Sequence, residues 1–106
     1  MCRYLLLRKG STCYPVRVEK IVRFESCKGY TCVYLENNEV YKECGHIGLF
    51  EKKVFPSGLF VRVNRSDLIN NIYIVSFSHA GGVLLGDGTR LPLTMQGYID
   101  LLGIFD

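Results

Sequence analysis

The fold of this chain is decided by the stretch Phe60-Val61-Arg62-Val63-Asn64-Arg65-Ser66-Asp67-Leu68-Ile69-Asn70-Asn71. It begins as a strand, because side chains alternate across a strand and Val61 and Val63 then share one apolar face. Four polar residues follow at 64–67, and Asn, Ser and Asp tend to bond to their own backbone instead of continuing a sheet. The sequence therefore predicts a strand that ends in an exposed polar corner.

This corner carries side chains of the types that contact DNA. The Asn64 amide can pair bidentately with adenine, the Arg65 guanidinium can fork onto guanine, and the Ser66 hydroxyl suits a phosphate. The same residues also fit the start of a helix, with Ser66 as its N-cap ahead of Leu68 and Ile69. The corner alone does not decide between these two interpretations.

Length and composition set the class of protein. With 106 residues we expect residues 1–106 to form a single domain with a modest core. An apolar content of 48% with only 3 prolines excludes a disordered chain. The balance of 13 basic against 10 acidic residues is compatible with nucleic-acid binding but is far from that of a basic arm.

Five cysteines raise the question of disulfides or metal. Their odd number, their irregular spacing and the lack of a signal peptide predict reduced thiols in a cytoplasmic protein; they are Cys2, Cys13, Cys27, Cys32 and Cys44. A zinc site from Cys27, Cys32, Cys44 and His46 is chemically possible, but its spacing matches no strong template. Cys27 and Cys32 more often flank a hairpin as small hydrophobes. We therefore expect no metal and no cofactor.

Short strand patterns dominate the chain. Apolar alternation and turn residues predict strands at 4–7, 13–16, 21–26, 30–35, 40–42, 60–64, 73–77, 82–85 and 90–93. A helix is predicted at 46–54, where Ile47, Phe50 and Val54 share one face. A weaker C-terminal helix follows Thr94, a plausible N-cap, although Gly97 costs it about 1 kcal/mol. The predicted fold class is a mainly antiparallel β domain with one or two short helices.

Nothing in the chain indicates an enzyme. His46 begins the predicted helix and His79 lies in a predicted turn, and neither stands near an acid and a nucleophile in a context that suggests activation. The glycines at 81–82 and 86–88 predict hairpin turns instead of a phosphate-binding loop. We expect no small-molecule substrate.

The signature stretch resembles that of the LytTR family of bacterial DNA-binding domains, F-x-R-V-H-R-S followed by apolar residues and Asn. Residues 84–94 resemble the family's strand-turn-strand ending in L-P-V-S, and residues 18–30 resemble its opening strand and turn. The matches occur in order over nearly the whole chain. The resemblance implies an elongated array of small antiparallel sheets that presents loops, and no recognition helix, to successive major grooves.

The resemblance also implies DNA contacts in three segments. The first is the turn with Lys28, and the second is the polar corner, where Asn64 replaces the usual His. In the third, Thr94 matches the usual Ser and Met95 stands where Arg is common; Gln96 or Arg90 can compensate, or Met95 can touch a thymine methyl. Lys9, on the first predicted hairpin turn, is a further phosphate-contact candidate. The candidates are Lys9, Lys28, Asn64, Arg65, Ser66, Arg90, Thr94, Met95 and Gln96.

The implied function is that of a stand-alone bacterial transcription regulator that binds double-stranded DNA. A second copy on direct-repeat sites and a regulatory membrane protein are further partner hypotheses, because no receiver domain fits within these residues. The alternative is a protein-interaction module that has the fold without DNA binding. The low net charge and Met95 both allow that alternative.

Overall fold

The computed structural model describes residues 3–106, so the predicted free thiol of Cys2 lies outside the described residues. Within that range the chain forms ten strands and two α-helices, joined by turns and three short 3₁₀ segments. The strands are β1 (Tyr4–Lys9), β2 (Thr12–Arg17), β3 (Ile21–Cys27), β4 (Tyr30–Leu35), β5 (Val40–Cys44), β6 (Phe60–Asn64), β7 (Asp67–Asn70), β8 (Ile74–Ser78), β9 (Gly82–Leu85) and β10 (Arg90–Leu91); the helices are α1 (Ile47–Val54) and α2 (Met95–Phe105).

Three antiparallel sheets build the molecule. β1 and β2 form a hairpin of their own, β3, β4, β5, β6 and β7 form a five-stranded sheet in the order β5-β4-β3-β7-β6, and β8, β9 and β10 form the third sheet. The principal extents are 42 × 30 × 23 Å, so the arrangement is elongated as the family resemblance implied. The predicted fold class, mainly antiparallel β with short helices, is confirmed.

The signature stretch forms the β6–β7 hairpin. Val61 and Val63 are buried on one face of β6, as the alternation predicted. The helix start at Ser66 is wrong, because Asp67–Asn70 is a strand that pairs with both β3 and β6 and is buried throughout. The exposed corner is therefore narrower than predicted and consists of Arg65 and Ser66. Two neighbouring strands supply the backbone partners that polar Asp67 would otherwise lack.

Two hydrophobic cores lie on opposite sides of the five-stranded sheet. The first is covered by α1 and the β1–β2 hairpin and is centred on Phe24, whose ring lies 5.7 Å from that of Phe50 and 5.5 Å from that of Phe60. The second holds Val61 and Val63 of β6 against the third sheet and α2. Strand β6 contributes to both cores, so both faces of the strand are packed.

The C-terminal segment forms the helix that the sequence predicted, although Gly97 was expected to weaken it. α2 spans eleven residues and buries Leu101 in the second core. Thr94 is its N-cap, as predicted, and accepts a hydrogen bond from the backbone N–H of Gly97. The strand predicted at 90–93 ends at Leu91, because the backbone then turns toward β6. No helix within residues 3–106 is long and apolar enough to span a membrane.

Gly97 permits this close approach of α2 to β6. A Cβ at residue 97 would stand 2.5 Å from the carbonyl oxygen of Val63, whereas at Gly103 of the same helix it would meet nothing within 4 Å. We expect Gly97→Ala to lower the free energy of unfolding by about 1–3 kcal/mol through overpacking. Gly103→Ala, the matched control, should raise it by about 0.5–1 kcal/mol through helix propensity. Urea unfolding of both variants measures the difference, and equal shifts would contradict the close contact.

Candidate nucleic-acid interface

The tip of the β6–β7 hairpin is braced by its own polar groups. The Asn64 side-chain oxygen accepts a 2.8 Å hydrogen bond from the backbone N–H of Ser66, which is the local bond expected of an Asn in a turn. Arg62 donates to the carbonyl of Arg65 over 3.1 Å and also to the carboxylate of Glu51 on α1. The turn is thereby held in one conformation while both of its tip side chains face solvent.

The tip presents an unpaired cation. The guanidinium of Arg65 is exposed and, among residues 3–106, forms no hydrogen bond, ion pair or ring contact. The Ser66 side chain is likewise exposed. A guanidinium with all its donors available suits a bidentate contact to guanine or to phosphate.

The turn after β3 lies beside this tip. The backbone N–H of Ser26 donates a 2.8 Å hydrogen bond to the carbonyl of Ser66, and Glu25 of β3 pairs directly with Asp67 of β7. Because β3 ends where antiparallel β7 begins, both turns project from the same end of the five-stranded sheet. Lys28, exposed and without a partner in residues 3–106, therefore joins Arg65 at that end.

The third predicted segment is tied to the same hairpin. The side-chain nitrogen of Asn64 donates to the carbonyl of Pro92 over 2.7 Å. The backbone N–H and the hydroxyl of Thr94 donate to the carbonyl of Val63 at 3.0 and 3.2 Å. These bonds place the first turn of α2 against the signature hairpin, so the hairpin adjoins each of the other two segments implied by the resemblance.

The side chains of the third segment differ in exposure and in the hydrogen bonds that they already form. Met95 is 54% exposed at the first position of α2, so it is not a core residue. Gln96 donates to the Asp100 carboxylate over 2.9 Å. Thr94 uses its hydroxyl both to donate to β6 and to cap α2. These bonds within the protein explain a threonine at this position without any contact to DNA.

Two of the predicted contacts lie outside the joined segments. Arg90 donates to the carbonyl of Gly81 over 2.9 Å, and its guanidinium thus lies against the β8–β9 loop. Lys9 lies on the β1–β2 hairpin with its ammonium 5.5 Å from the ring of Tyr41. Within residues 3–106, no hydrogen bond or ring contact links either residue to the three segments. Their side chains are less available than those of Lys28 and Arg65.

The four zinc donors that the sequence analysis weighed as a chemical possibility, Cys27, Cys32, Cys44 and His46, do not all come together in the described residues. Among residues 3–106, one group of three potential metal ligands forms, and it consists of Glu25, Cys27 and Cys32. Cys44 and His46 are both exposed and belong to no such group. All cysteines in the described residues are free thiols.

A buried arginine, Arg23, lies behind the two turns, and the sequence analysis assigned it no role. Arg23 lies within 3.7 Å of an Asp67 oxygen and 3.8 Å of a Glu25 oxygen, and its guanidinium stands 3.8 Å from the centre of the Tyr34 ring. Glu25 and Asp67 are directly opposed, and like charges in that position destabilise a sheet. Arg23 compensates both carboxylates. Strand alternation, which puts 23 and 25 on one face, was the available signal.

Tyr34 completes this network. Its hydroxyl donates to Glu25 over 2.7 Å, and burial together with that bond raises the pKa of Tyr34 to about 12. Tyr34 therefore remains a protonated donor throughout the physiological pH range. It holds the Glu25 carboxylate within reach of Arg23, next to the start of the Lys28 turn.

We expect Arg23→Leu to lower the free energy of unfolding by about 2–4 kcal/mol, because it leaves two opposed carboxylates without their cation. Adding Asp67→Asn to that variant should restore part of the loss, since it removes one of the like charges. Arg17→Leu is the control, because its ion pair with Glu19 is exposed, and it should change stability by less than about 0.5 kcal/mol. Chemical denaturation measures all three; a double variant no more stable than Arg23→Leu would argue against charge compensation.

Comparisons with known proteins agree with this architecture. The model of the LytTr DNA-binding domain family matches residues 11–103. A solved LytTr DNA-binding domain from Bacillus cereus superposes with a TM-score of 0.77 over 96% of this chain and 95% of that chain, at 20% sequence identity; at that identity the likeness shows the fold. A comparison with curated proteins finds no match. Because the family model covers nearly the whole chain, this protein belongs to the LytTR family of DNA-binding domains.

Proposed function

We propose that the chain, as one domain, reads double-stranded DNA sequence-specifically by placing its three adjoining segments in the major groove. We further propose that it acts as a bacterial transcription regulator. The observation that carries the first proposal is the pair of hydrogen bonds that tie the signature hairpin to its neighbours, one from the backbone N–H of Ser26 to the carbonyl of Ser66 and one from the Asn64 amide to the carbonyl of Pro92. Those bonds gather the free cations Lys28 and Arg65 and the start of α2 at one end of the molecule.

Each residue of the signature turn has a distinct proposed role. Arg65 forks onto a guanine edge, and Ser66 donates to a backbone phosphate. Asn64 uses one amide hydrogen and one oxygen lone pair internally, which leaves one of each for an adenine edge. Lys28 reaches a neighbouring phosphate or a guanine.

The third segment contributes an apolar contact. Exposed Met95 is suited to touch a thymine methyl, while Thr94 positions the segment and Gln96, which gives one amide hydrogen to Asp100, keeps its second hydrogen and its oxygen for the DNA. Lys9 and Arg90 are assigned phosphate contacts at the margin of the site and no base contact.

The proposed setting follows from this mode of binding. The domain acts in the cytoplasm, where its DNA lies, without a small-molecule substrate or cofactor. A second copy on direct-repeat sites would double the base pairs read, because each copy presents only a few reading side chains. A regulatory membrane protein remains the proposed source of the signal.

A protein-interaction role is the second candidate. The observation that favours it is an apolar groove between α2 and β6, in which Phe55 is 79% and Ile99 is 53% exposed. Exposed apolar surface of this kind often marks a contact with another protein. Selection of bound sequences from random duplexes separates the two functions, since an interaction module would enrich none at any salt concentration.

Arg65 should carry both charge and base discrimination. Arg65→Ala should weaken binding to a selected duplex, relax the preference at one base pair by about 1–3 kcal/mol and reduce the slope of log affinity against log salt by about one. Arg65→Lys should keep that slope but lose the base preference, because lysine lacks the guanidinium fork. Salt titrations with matched and mismatched duplexes give both quantities.

The control for Arg65 is Lys52→Ala, which removes an exposed cation from α1, a helix that contributes none of the three segments. Its affinity and slope should equal those of the unsubstituted protein. An Arg65→Ala variant with unchanged affinity and base preference would contradict the proposed role of the signature turn. Circular dichroism melting confirms that each variant is folded.

Met95 is a position where affinity can be added. Met95→Arg should tighten binding severalfold and steepen the salt slope by about one, because an arginine at the first turn of α2 adds one phosphate or base contact. Leu102→Arg adds the same charge to an exposed position of the same helix, about 10 Å further along its axis, and should leave the slope nearly unchanged. Weaker binding by Met95→Arg would mean that the methionine itself contacts the DNA, and equal gains from both variants would mean non-specific attraction.

A further inference from the structure

Two cysteines flank the turn that presents Lys28. Cys27 is the last residue of β3, and Cys32 lies on β4 opposite Glu25. Their Sγ atoms are 2.9 Å apart, which is inside van der Waals contact and about 0.9 Å longer than a disulfide bond. Both residues are partly exposed, so a small oxidant can reach them. No other pair of cysteine sulfurs among residues 3–106 is in hydrogen-bond contact.

We propose that Cys27 and Cys32 are a peroxide-sensitive dithiol, whose reversible disulfide displaces the DNA-contacting turn between them. Its effect on DNA rests on the proposed function, whereas the bond itself does not. Transient disulfides of this kind are the form in which disulfides serve in a reducing compartment.

The chemistry balances with hydrogen peroxide as the oxidant. The Cys27 thiolate attacks one peroxide oxygen, the O–O bond breaks, and Cys27 becomes a sulfenic acid while the other oxygen leaves as water after taking a proton. The sulfur of Cys32 then attacks the Cys27 sulfur, the S–S bond forms, the S–O bond breaks, and a second water leaves with the Cys32 proton. Two thiols are oxidised, and one peroxide is reduced to two waters.

The environment of Cys32 suits it to the resolving role. Burial raises the pKa of the Cys32 thiol to about 11, and its hydrogen bond with Cys27 adds to that effect. Cys32 therefore forms the thiolate that attacks peroxide less readily than an ordinary cysteine does. Its sulfur lies 2.9 Å from that of Cys27, where it can react with a sulfenic acid formed there.

The bond would move the Lys28 turn because the two cysteines are not direct partners. Cys27 pairs with Tyr30, so Cys32 is its diagonal neighbour, and such neighbours have Cα atoms about 7–8 Å apart. A disulfide usually joins Cα atoms about 5.5–6 Å apart, so closure draws the end of β3 toward β4. Ser26, the residue before Cys27, donates the hydrogen bond that joins this turn to Ser66. Oxidation should therefore shift Lys28 relative to Arg65.

A metal ion is the competing occupant of this cluster. Glu25, Cys27 and Cys32 offer ligand atoms within 4.8 Å of one another. The carboxylate of Glu25 is already engaged, because one oxygen accepts from Tyr34 and the other lies 3.8 Å from the Arg23 guanidinium. Two thiolates on a tetrahedral zinc, with Zn–S bonds of about 2.3 Å, stand about 3.8 Å apart, which is wider than the observed contact. Both facts favour a disulfide.

Tryptic digestion tests the bond directly. Trypsin cleaves after Arg23, Lys28 and Lys42, so a disulfide between Cys27 and Cys32 joins the peptide 24–28 to the peptide 29–42, each of which holds one cysteine. After treatment with equimolar hydrogen peroxide and digestion without reductant, mass spectrometry should find this linked pair, and reductant should release it. A sample incubated beforehand with zinc should give the same product.

Matched variants connect the bond to DNA binding. Cys27→Ser and Cys32→Ser should each abolish the linked pair, whereas Cys13→Ser, at an exposed cysteine of another hairpin, should keep it. Affinity for a selected duplex should fall about fivefold or more on oxidation, the lower end of typical coupling between sites, and recover with reductant. The fall should occur in the unsubstituted protein and in Cys13→Ser and be absent from Cys27→Ser.

The readouts separate the possible failures. Disulfides that mainly involve Cys13 or Cys44, or full protection of the thiols by one equivalent of zinc, would overturn the dithiol. A linked pair that leaves duplex affinity unchanged would overturn its effect on the turn. If the reduced protein binds no duplex, the effect on DNA falls with the proposed function, and the linked peptides still decide the disulfide.

Discussion

The carbonyl oxygen of Val63 is the acceptor that joins strand β6 to the start of α2. It accepts both the backbone N–H and the hydroxyl of Thr94, and Gly97 leaves the room that this approach needs. A buried carbonyl must find donors, and here the donors come from a segment some thirty residues later in the chain. The same bonds start α2 and place it on β6, so the second core and the third segment proposed to contact DNA depend on one acceptor.

The charge at the proposed DNA-reading end depends on which charged side chains form ion pairs as well as on the net charge of the chain. The chain has a net charge of only +3, and two carboxylates, Glu25 and Asp67, stand directly behind the turns. Arg23 contacts both from inside the protein, and its single positive charge offsets half of their negative charge. Lys28 and Arg65 are left as unpaired cations in front of them. A modest net charge therefore does not argue against DNA binding when the acids are paired internally.

The sequence predicted the strands well where apolar alternation was strong, as in β3, β4 and β6, since one buried face fixes the pattern locally. It failed at Asp67, whose polar side chain suggests a turn, because pairing with strands distant in sequence overrides local preference. The C-terminal helix was predicted to be weak for a related reason. Gly97 weakens an isolated helix, and only the contact with Val63 explains why glycine stands there.

The residues of the proposed site were named from the family resemblance. Their proximity in the folded protein was not predicted from the sequence. Lys28, Arg65 and Met95 were named from the family pattern, yet nothing local to any of them indicates that they adjoin. That depends on the order of strands in the five-stranded sheet and on two hydrogen bonds across long sequence separations. Lys9 and Arg90 were also named from the sequence, but their side chains lie away from the other candidates. Lys9 lies over the ring of Tyr41, and Arg90 donates to the carbonyl of Gly81.

The three segments are anchored in different parts of the protein, and this makes them separable. The Lys28 turn belongs to the meander β3-β4-β5, the Arg65 turn to the hairpin shared by both cores, and the start of α2 to the second core. Beyond the pairing of β3 with β7, one hydrogen bond, from Ser26 to Ser66, joins the Lys28 turn to the Arg65 turn. Three hydrogen bonds, from Asn64 to Pro92 and from Thr94 to Val63, join the Arg65 hairpin to the third segment. A disturbance confined to the β3–β4 turn therefore displaces the Lys28 turn relative to the other two segments before it unfolds the domain. A reading surface built in this way can lose base discrimination while the fold persists.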